Sequence, residues 1–101
     1  MFYIYILYSP SSDKYYVGYS NDYERRLIEH NSSLRNTFTS KHRPWQLKAV
    51  FACGNIEASA MQIEKFIKKQ KNRKLIEQLV DTRFIPEGAL AQLVRVPHLR
   101  D

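Results

Sequence analysis

Hydrophobic and polar positions alternate from the first residues of the chain. Over residues 2–8, Phe2, Ile4 and Ile6 fall on one side and Tyr3, Tyr5 and Leu7 on the other. Period two in aromatic and β-branched residues predicts a strand with both faces in use. "SPSSDK" then supplies turn residues and "YYVGY" resumes the strand pattern, so the two are expected to pair as an antiparallel hairpin. Ser20, Asn21 and Asp22 are capping residues, and in the following stretch Tyr23, Leu27 and His30 recur at helical spacing. Glu24 suits the positive end of that helix.

Residues 32–43 show little periodicity and carry Arg35, Lys41, His42 and Arg43; they read as an exposed basic loop closed by Pro44. Trp45, Leu47, Ala49, Phe51 and Cys53 alternate next, predicting a third strand with one strongly apolar face. Gly54-Asn55 ends it. From Ile56 onward Ala60, Ile63 and Ile67 form a helical stripe that continues into "LIEQLV", with a break near Asn72. In the tail, Pro86, Gly88 and Pro97 punctuate an apolar stretch over residues 89–94, expected to form a brief helix. The element order is β-β-α-β-α-α plus a tail.

Composition narrows the partners. A chain of 101 residues has room for one modest core, and 44% apolar with 26% charged residues is a globular balance. The formal net charge of +6 favours a polyanion, of which nucleic acid is the commonest. A membrane is set aside because no apolar run is long enough to span one. Cys53 is the single cysteine, so it offers neither an internal disulfide nor a thiolate cluster, and its apolar neighbours mark it as a buried small hydrophobe. The chain begins directly with "MFYIYILYS", without a basic leader, and a cytoplasmic location is the default expectation.

The residues that carry chemistry are spread over this framework. Tyr3-Ile4-Tyr5 is followed, eleven residues from tyrosine to tyrosine, by Tyr16-Val17-Gly18. Arg26 comes ten residues after Tyr16, His30 four after Arg26, and Glu64 lies on a later helix within "QIEKFIKK". Arg26 and His30 share a helix face at that spacing. A guanidinium forks onto phosphate more specifically than a lysine does. Glu64 falls in the apolar sector of its helix, an unusual place for a carboxylate without a task, and a hard carboxylate suits Mg²⁺.

In order and spacing these residues resemble the GIY-YIG nuclease domain, over residues 2 to about 80. Particularly similar are the small stand-alone proteins of that superfamily; the chain is also similar to the N-terminal nuclease domain of the excision-repair incision enzyme and to the structure-specific junction nucleases. The resemblance implies a small α/β (α+β) sandwich with a three-stranded antiparallel sheet flanked by helices, a nuclease domain over residues 1–84 and a C-terminal tail over residues 85–101. It implies a metal-dependent endonuclease that hydrolyses phosphodiester bonds in DNA, in repair, recombination or the processing of foreign DNA. By the family's pattern Tyr5 acts as general base, Tyr16 positions the water or phosphate, Arg26 and His30 serve the phosphate and the proton, and Glu64 holds Mg²⁺ or Mn²⁺. Gly18 lets the backbone pass close to the site, and Asn72 is a candidate second-shell group or a helix breaker.

Tyr3 stands where the first motif has its glycine, and Tyr19 follows Gly18 where some relatives place a lysine. Tyr19, Arg25, Arg35, Lys41, Arg43, Lys68, Lys69 and Lys71 are the candidate nucleic-acid contacts, with Tyr15, Tyr19 and Tyr23 as candidate stacking surfaces for an unpaired strand. Tyr23 also suits the core, Glu57 suits the first turn of its helix, and His42 and His98 read as surface residues. The rival reading is a non-catalytic nucleic-acid-binding module, or a subunit activated by a protein partner that docks on the tail.

Overall fold

The fold was read from a computed structural model in which residues 1–32 and 38–97 are described. The expected hairpin is present as β1 (Tyr3–Ser9) and β2 (Lys14–Ser20), antiparallel and in register from Tyr3 opposite Ser20 to Ser9 opposite Lys14. Helix α1 (Tyr23–Ser32) starts where the capping residues place it. Asp22 Oδ1 accepts from the Arg25 amide at 3.0 Å, satisfying one of the helix's orphan donors.

A short helix α2 (Phe38–Lys41) leads to β3 (Gln46–Ala52), then α3 (Glu57–Gln70) and α4 (Arg73–Val80). The break between α3 and α4 lies at Asn72 as expected: Lys71 turns left-handed (φ 48°), and the Asn72 side chain accepts from the Leu75 amide at 3.3 Å to cap the second helix.

Among the described residues the antiparallel sheet has four strands, not three, in the order β2-β1-β3-β4. The tail supplies the fourth. After a 3-10 turn at Gly88–Leu90, β4 (Val94–Arg95) pairs with β3, Phe51 opposite Arg95 and Ala52 opposite Val94. The brief helix expected over residues 89–94 is present only as the 3-10 turn at Gly88–Leu90, and Val94 belongs to the strand. The reason is the outer edge of β3, whose unpaired backbone groups the strand satisfies, as does the Val96 amide on the Val50 carbonyl (2.8 Å). Arg95 secures the join: its Nη2 donates to the carbonyls of Leu79 and Asp81, both at 2.8 Å, and its guanidinium lies over the Phe51 ring at 4.7 Å.

The sheet separates two cores. On one face Ile4, Ile6, Val17, Ala49 and Phe51 meet Ala60, Ile63 and Ile67 of α3, Leu79 of α4, and Leu90 and Leu93 of the tail. On the other, Tyr5, Leu7, Val50 and Trp45 meet Tyr23 and Leu27 of α1. The expectation of a single apolar face on the third strand fails. Between Ile6 and Leu7 of β1 the register with β3 shifts, Ile6 opposing Ala49 but Leu7 opposing Leu47. One extra residue on β3 flips the side chains that precede it, so Trp45 and Leu47 join Val50 while Ala49, Phe51 and Cys53 face the other core. Cys53 is buried, as expected.

Candidate active site

Tyr5 lies at the middle of β1, opposite Gly18 on β2 and Val50 on β3, and is 1% exposed. Its ring extends across Gly18 within the α1-side core. A Cβ at position 18 would collide with Cζ and Oη of Tyr5 and lie 3.0 Å from Cε1. Glycine is required there for space on an ordinary strand, not for an unusual backbone angle. The Tyr5 hydroxyl meets His30 Nε2 at 2.9 Å, so the phenol bridges the sheet and α1. Tyr16 packs against both, its ring 6.4 Å from Tyr5 and 4.8 Å, edge-on, from His30.

Burial sets the electrostatics of this pair. It pushes the Tyr5 phenol up to about 12, with Tyr16 adding to the rise and the Arg26 guanidinium opposing it. It pulls His30 down to about 4, helped by the positive charge of Arg26. At neutral pH the couple is a protonated phenol and an uncharged imidazole, and the imidazole is able to accept at one nitrogen.

An open groove of about 470 Å³ runs past this couple. Tyr5, Tyr16, Gly18, Arg26 and Glu64 all line it, although they come from β1, β2, α1 and α3. Helix α3, packed along β2 from one face, and α1, on the other face, meet at this edge of the sheet, which is why residues distant in sequence converge. Arg26 is held toward the groove by Glu29, with Nη1 to Oε1 at 2.6 Å, and Arg25 grips the other Glu29 oxygen at 3.0 Å. Glu64, whose side chain is 16% exposed, sits 3.6 Å from Lys68 Nζ, and the same ammonium lies 5.0 Å over the Tyr16 ring. His30 is buried behind Tyr5 and does not line the groove.

The remaining candidates divide. Tyr19 and Arg25 line the groove, Tyr19 donating its hydroxyl to Glu57 at 3.3 Å. Lys68 stands beside it, while Lys41, Lys69 and Lys71 are exposed elsewhere on the surface. Arg43 is tied to the fold, Nε donating to the His30 carbonyl at 2.8 Å. Asn72 is the α4 cap and is not among the groove residues. Arg35 and His98 lie outside the described residues. Tyr15 packs against Tyr8 (4.9 Å) with the Arg73 guanidinium over its ring (5.1 Å), and Tyr23 packs edge-on against Tyr3 (5.1 Å); both are half-buried and neither lines the groove. His42 is half-buried, its Nδ1 at 2.9 Å from Ser12 Oγ, instead of standing free on the surface.

Phe2, Ser20 and Asn21, not among the site candidates, also line the groove, as does Glu57, which the sequence assigned instead to the first turn of its helix. Glu29 was equally unmarked, although its spacing three residues after Arg26 is a signal for a helical ion pair.

Comparison with known proteins identifies the family. The profile of the GIY-YIG catalytic domain matches residues 1–77. A UPF0213 protein from Haloquadratum walsbyi is 34% identical over 82 residues, covering 78% of this chain and 90% of that protein. With Tyr5, Tyr16, Gly18, Arg26 and Glu64 at one groove of a small α+β scaffold and His30 behind Tyr5, the chain belongs to the GIY-YIG family, a family of nucleases.

Proposed function

We propose that the chain is a metal-dependent endonuclease that hydrolyses phosphodiester bonds in DNA, with Tyr5, Tyr16, Arg26, His30 and Glu64 as its working residues. The observation that carries this reading is the convergence of Tyr5, Tyr16, Arg26 and Glu64 on one groove, with His30 hydrogen-bonded behind Tyr5.

Enzymes of this family generally use divalent metal ions. The donor set fits a hydrated hard cation. Among the described residues no three or more His, Cys, Asp or Glu side chains gather into a cage, while two carboxylates line the groove: Glu64, partly shielded, and Glu57, exposed and engaged by the Tyr19 hydroxyl. Mg²⁺ commonly keeps most of its waters and takes one or two protein carboxylates. When bound at Glu64, Mg²⁺ or Mn²⁺ would supply positive charge for the phosphate's non-bridging oxygens. Lys68 competes for the same carboxylate and is free to turn to a phosphate once displaced. It also brings an ammonium over the Tyr16 ring.

Arg26, oriented by Glu29, forks onto the scissile phosphate and stabilises the charge that grows there. Tyr5 and His30 handle the proton. A phenol at about 12 does not ionise at neutral pH, so the base is the pair. The attacking water gives its proton to the Tyr5 oxygen as the phenolic proton moves to His30 Nε2. Arg26, Arg43 and Lys68 all depress the basicity of His30. An incoming phosphate offsets that charge and makes the imidazole a better acceptor only when substrate is present. Tyr16 packs against both partners and fixes their geometry.

The test is cleavage of labelled single-stranded, duplex and branched DNA with Mg²⁺ or Mn²⁺, comparing wild type with Glu64→Ala. The expected result is metal-dependent cutting that the folded variant loses while keeping most of its binding, since affinity comes chiefly from Lys and Arg contacts. Binding without cutting by the wild type on any substrate overturns the enzymatic reading in favour of a binding module or a partner-activated subunit.

A further inference from the structure

Beside Tyr16, and not itself lining the groove, α2 presents Phe38. This ring is 48% exposed, an unusual state for a phenylalanine in the middle of a basic surface. Three aromatic rings hold it in place, with centroids at 4.7 Å to His42, 6.1 Å to Trp45 and 6.4 Å to Tyr16, the last nearly parallel at 26°. The support is fixed. Trp45 Nε1 donates to the Thr39 carbonyl at 2.8 Å, the Asn31 side chain bonds both the Trp45 amide (2.6 Å) and carbonyl (3.0 Å), and His42 is tied to Ser12. About half of Phe38 is left to solvent on this fixed support.

Charge surrounds the platform. Lys41 follows on the same short helix and is exposed, and Lys68 lies over Tyr16, closing that ring to stacking but leaving Phe38 open. Tyr16 belongs both to the groove and to this aromatic cluster, so the platform begins where the groove ends. A planar apolar face flanked by cations is the combination that stacks a nucleobase while holding its backbone.

We propose that Phe38, backed by His42 and Trp45, is a stacking site for one unpaired base of a DNA strand whose phosphate occupies the groove. This rests on the nuclease reading of the groove and adds the substrate class to it: DNA with at least one base outside the duplex stack next to the cut. A base within an intact duplex already stacks on its neighbours and gains little from the ring.

The experiment reads binding without cutting. Single-stranded oligonucleotides carrying 2-aminopurine at one position each, and the matching full duplex, are titrated with protein in the absence of divalent ions. For wild type, fluorescence at one position is expected to be quenched selectively. Phe38→Leu, folded by its melting curve, is expected to lose that quenching and bind the single strand about 5- to 100-fold more weakly, with Phe38→Trp restoring both and duplex affinity little changed. Wild-type protein that quenches no position selectively overturns the proposal, whatever the variants do. So does Phe38→Leu that keeps the quenching, or that weakens single strand and duplex alike. A chain that stacks a base through Phe38 yet never cuts refutes the nuclease reading and leaves the stacking site standing. A chain that cuts without Phe38-dependent quenching refutes the stacking site alone.

Discussion

Replacing Gly18 by alanine adds one methyl group at the point where β1 and β2 pass beside the groove. On an ordinary strand such a change stabilises by about 0.4–1 kcal/mol, because it restricts the unfolded chain. At Gly18 the new Cβ would occupy the space of the Tyr5 ring's hydroxyl end, which is itself enclosed and bonded to His30. Overpacking of this kind costs about 1–3 kcal/mol. The net expectation is a loss of about 1–2 kcal/mol, read as a fall in Tm of roughly 5–15 °C for a domain of this size.

The structural cause can be isolated. In a Tyr5→Leu background the ring is gone, and the penalty of Gly18→Ala should disappear, giving a coupling of at least about 1 kcal/mol in urea melts of the four proteins. Cleavage by Gly18→Ala should fall about a hundredfold or more, since the hydroxyl is pushed off its partner by a sizeable fraction of an ångström. Gly54 provides a contrast: it has φ +93° and nothing within 4 Å of a built Cβ, so Gly54→Ala is strained by backbone angle alone and should show no coupling to Tyr5. Gly18→Ala with wild-type stability and wild-type cutting would refute the idea that glycine is there to make room for Tyr5.

Three further outcomes are expected. His30 binds its proton in the fold only near pH 4 against about 6.5 when free, so the unfolded chain takes up more protons in between; stability should fall as pH drops from about 6.5 toward 4, by at most about 3 kcal/mol, and His30→Gln should remove that component from urea melts at pH 7 and 5. Arg95→Ala leaves the Leu79 and Asp81 carbonyls without that donor and should destabilise by about 1–3 kcal/mol, with faster hydrogen exchange in β4 and the end of α4, and little change in the groove. Glu64→Ala should abolish any change in Trp45 fluorescence produced by Mg²⁺ or Mn²⁺, because Trp45 is 6.2 Å from Tyr16, whose ring is covered by the lysine that pairs with Glu64. An unchanged metal response in that variant would place the ion elsewhere.

The sequence disclosed those parts of the fold whose signal is local. The hairpin, the Asp22 cap, the Ala60, Ile63 and Ile67 stripe and the break at Asn72 each depend on neighbours a few residues apart. What it hid depends on pairing across the chain. The extra residue on β3 leaves an alternating pattern intact on paper while reversing which core Trp45 and Leu47 enter. The two residues of β4 are too few to alternate, and only the open edge of β3 makes them a strand. The same division holds at the site. Spacing marked Tyr5, Tyr16, Gly18, Arg26, His30 and Glu64, but it could not tell that Gly18 is needed for space or that Lys68 faces Glu64 and Tyr16 at once. Phe38 escaped notice because it stands in a stretch without periodicity, where its exposure and its three supporting rings exist only after folding.

The most direct measurement is the single-turnover rate of metal-dependent DNA cleavage by wild type and Tyr5→Phe, both shown to be folded. The substitution keeps the ring over Gly18 and removes only the hydroxyl that meets His30. A fall of about 10²–10⁴ in rate, with DNA binding retained, is the expected result. A Tyr5→Phe protein that cuts at the wild-type rate would contradict the assignment of the Tyr5–His30 couple as the base.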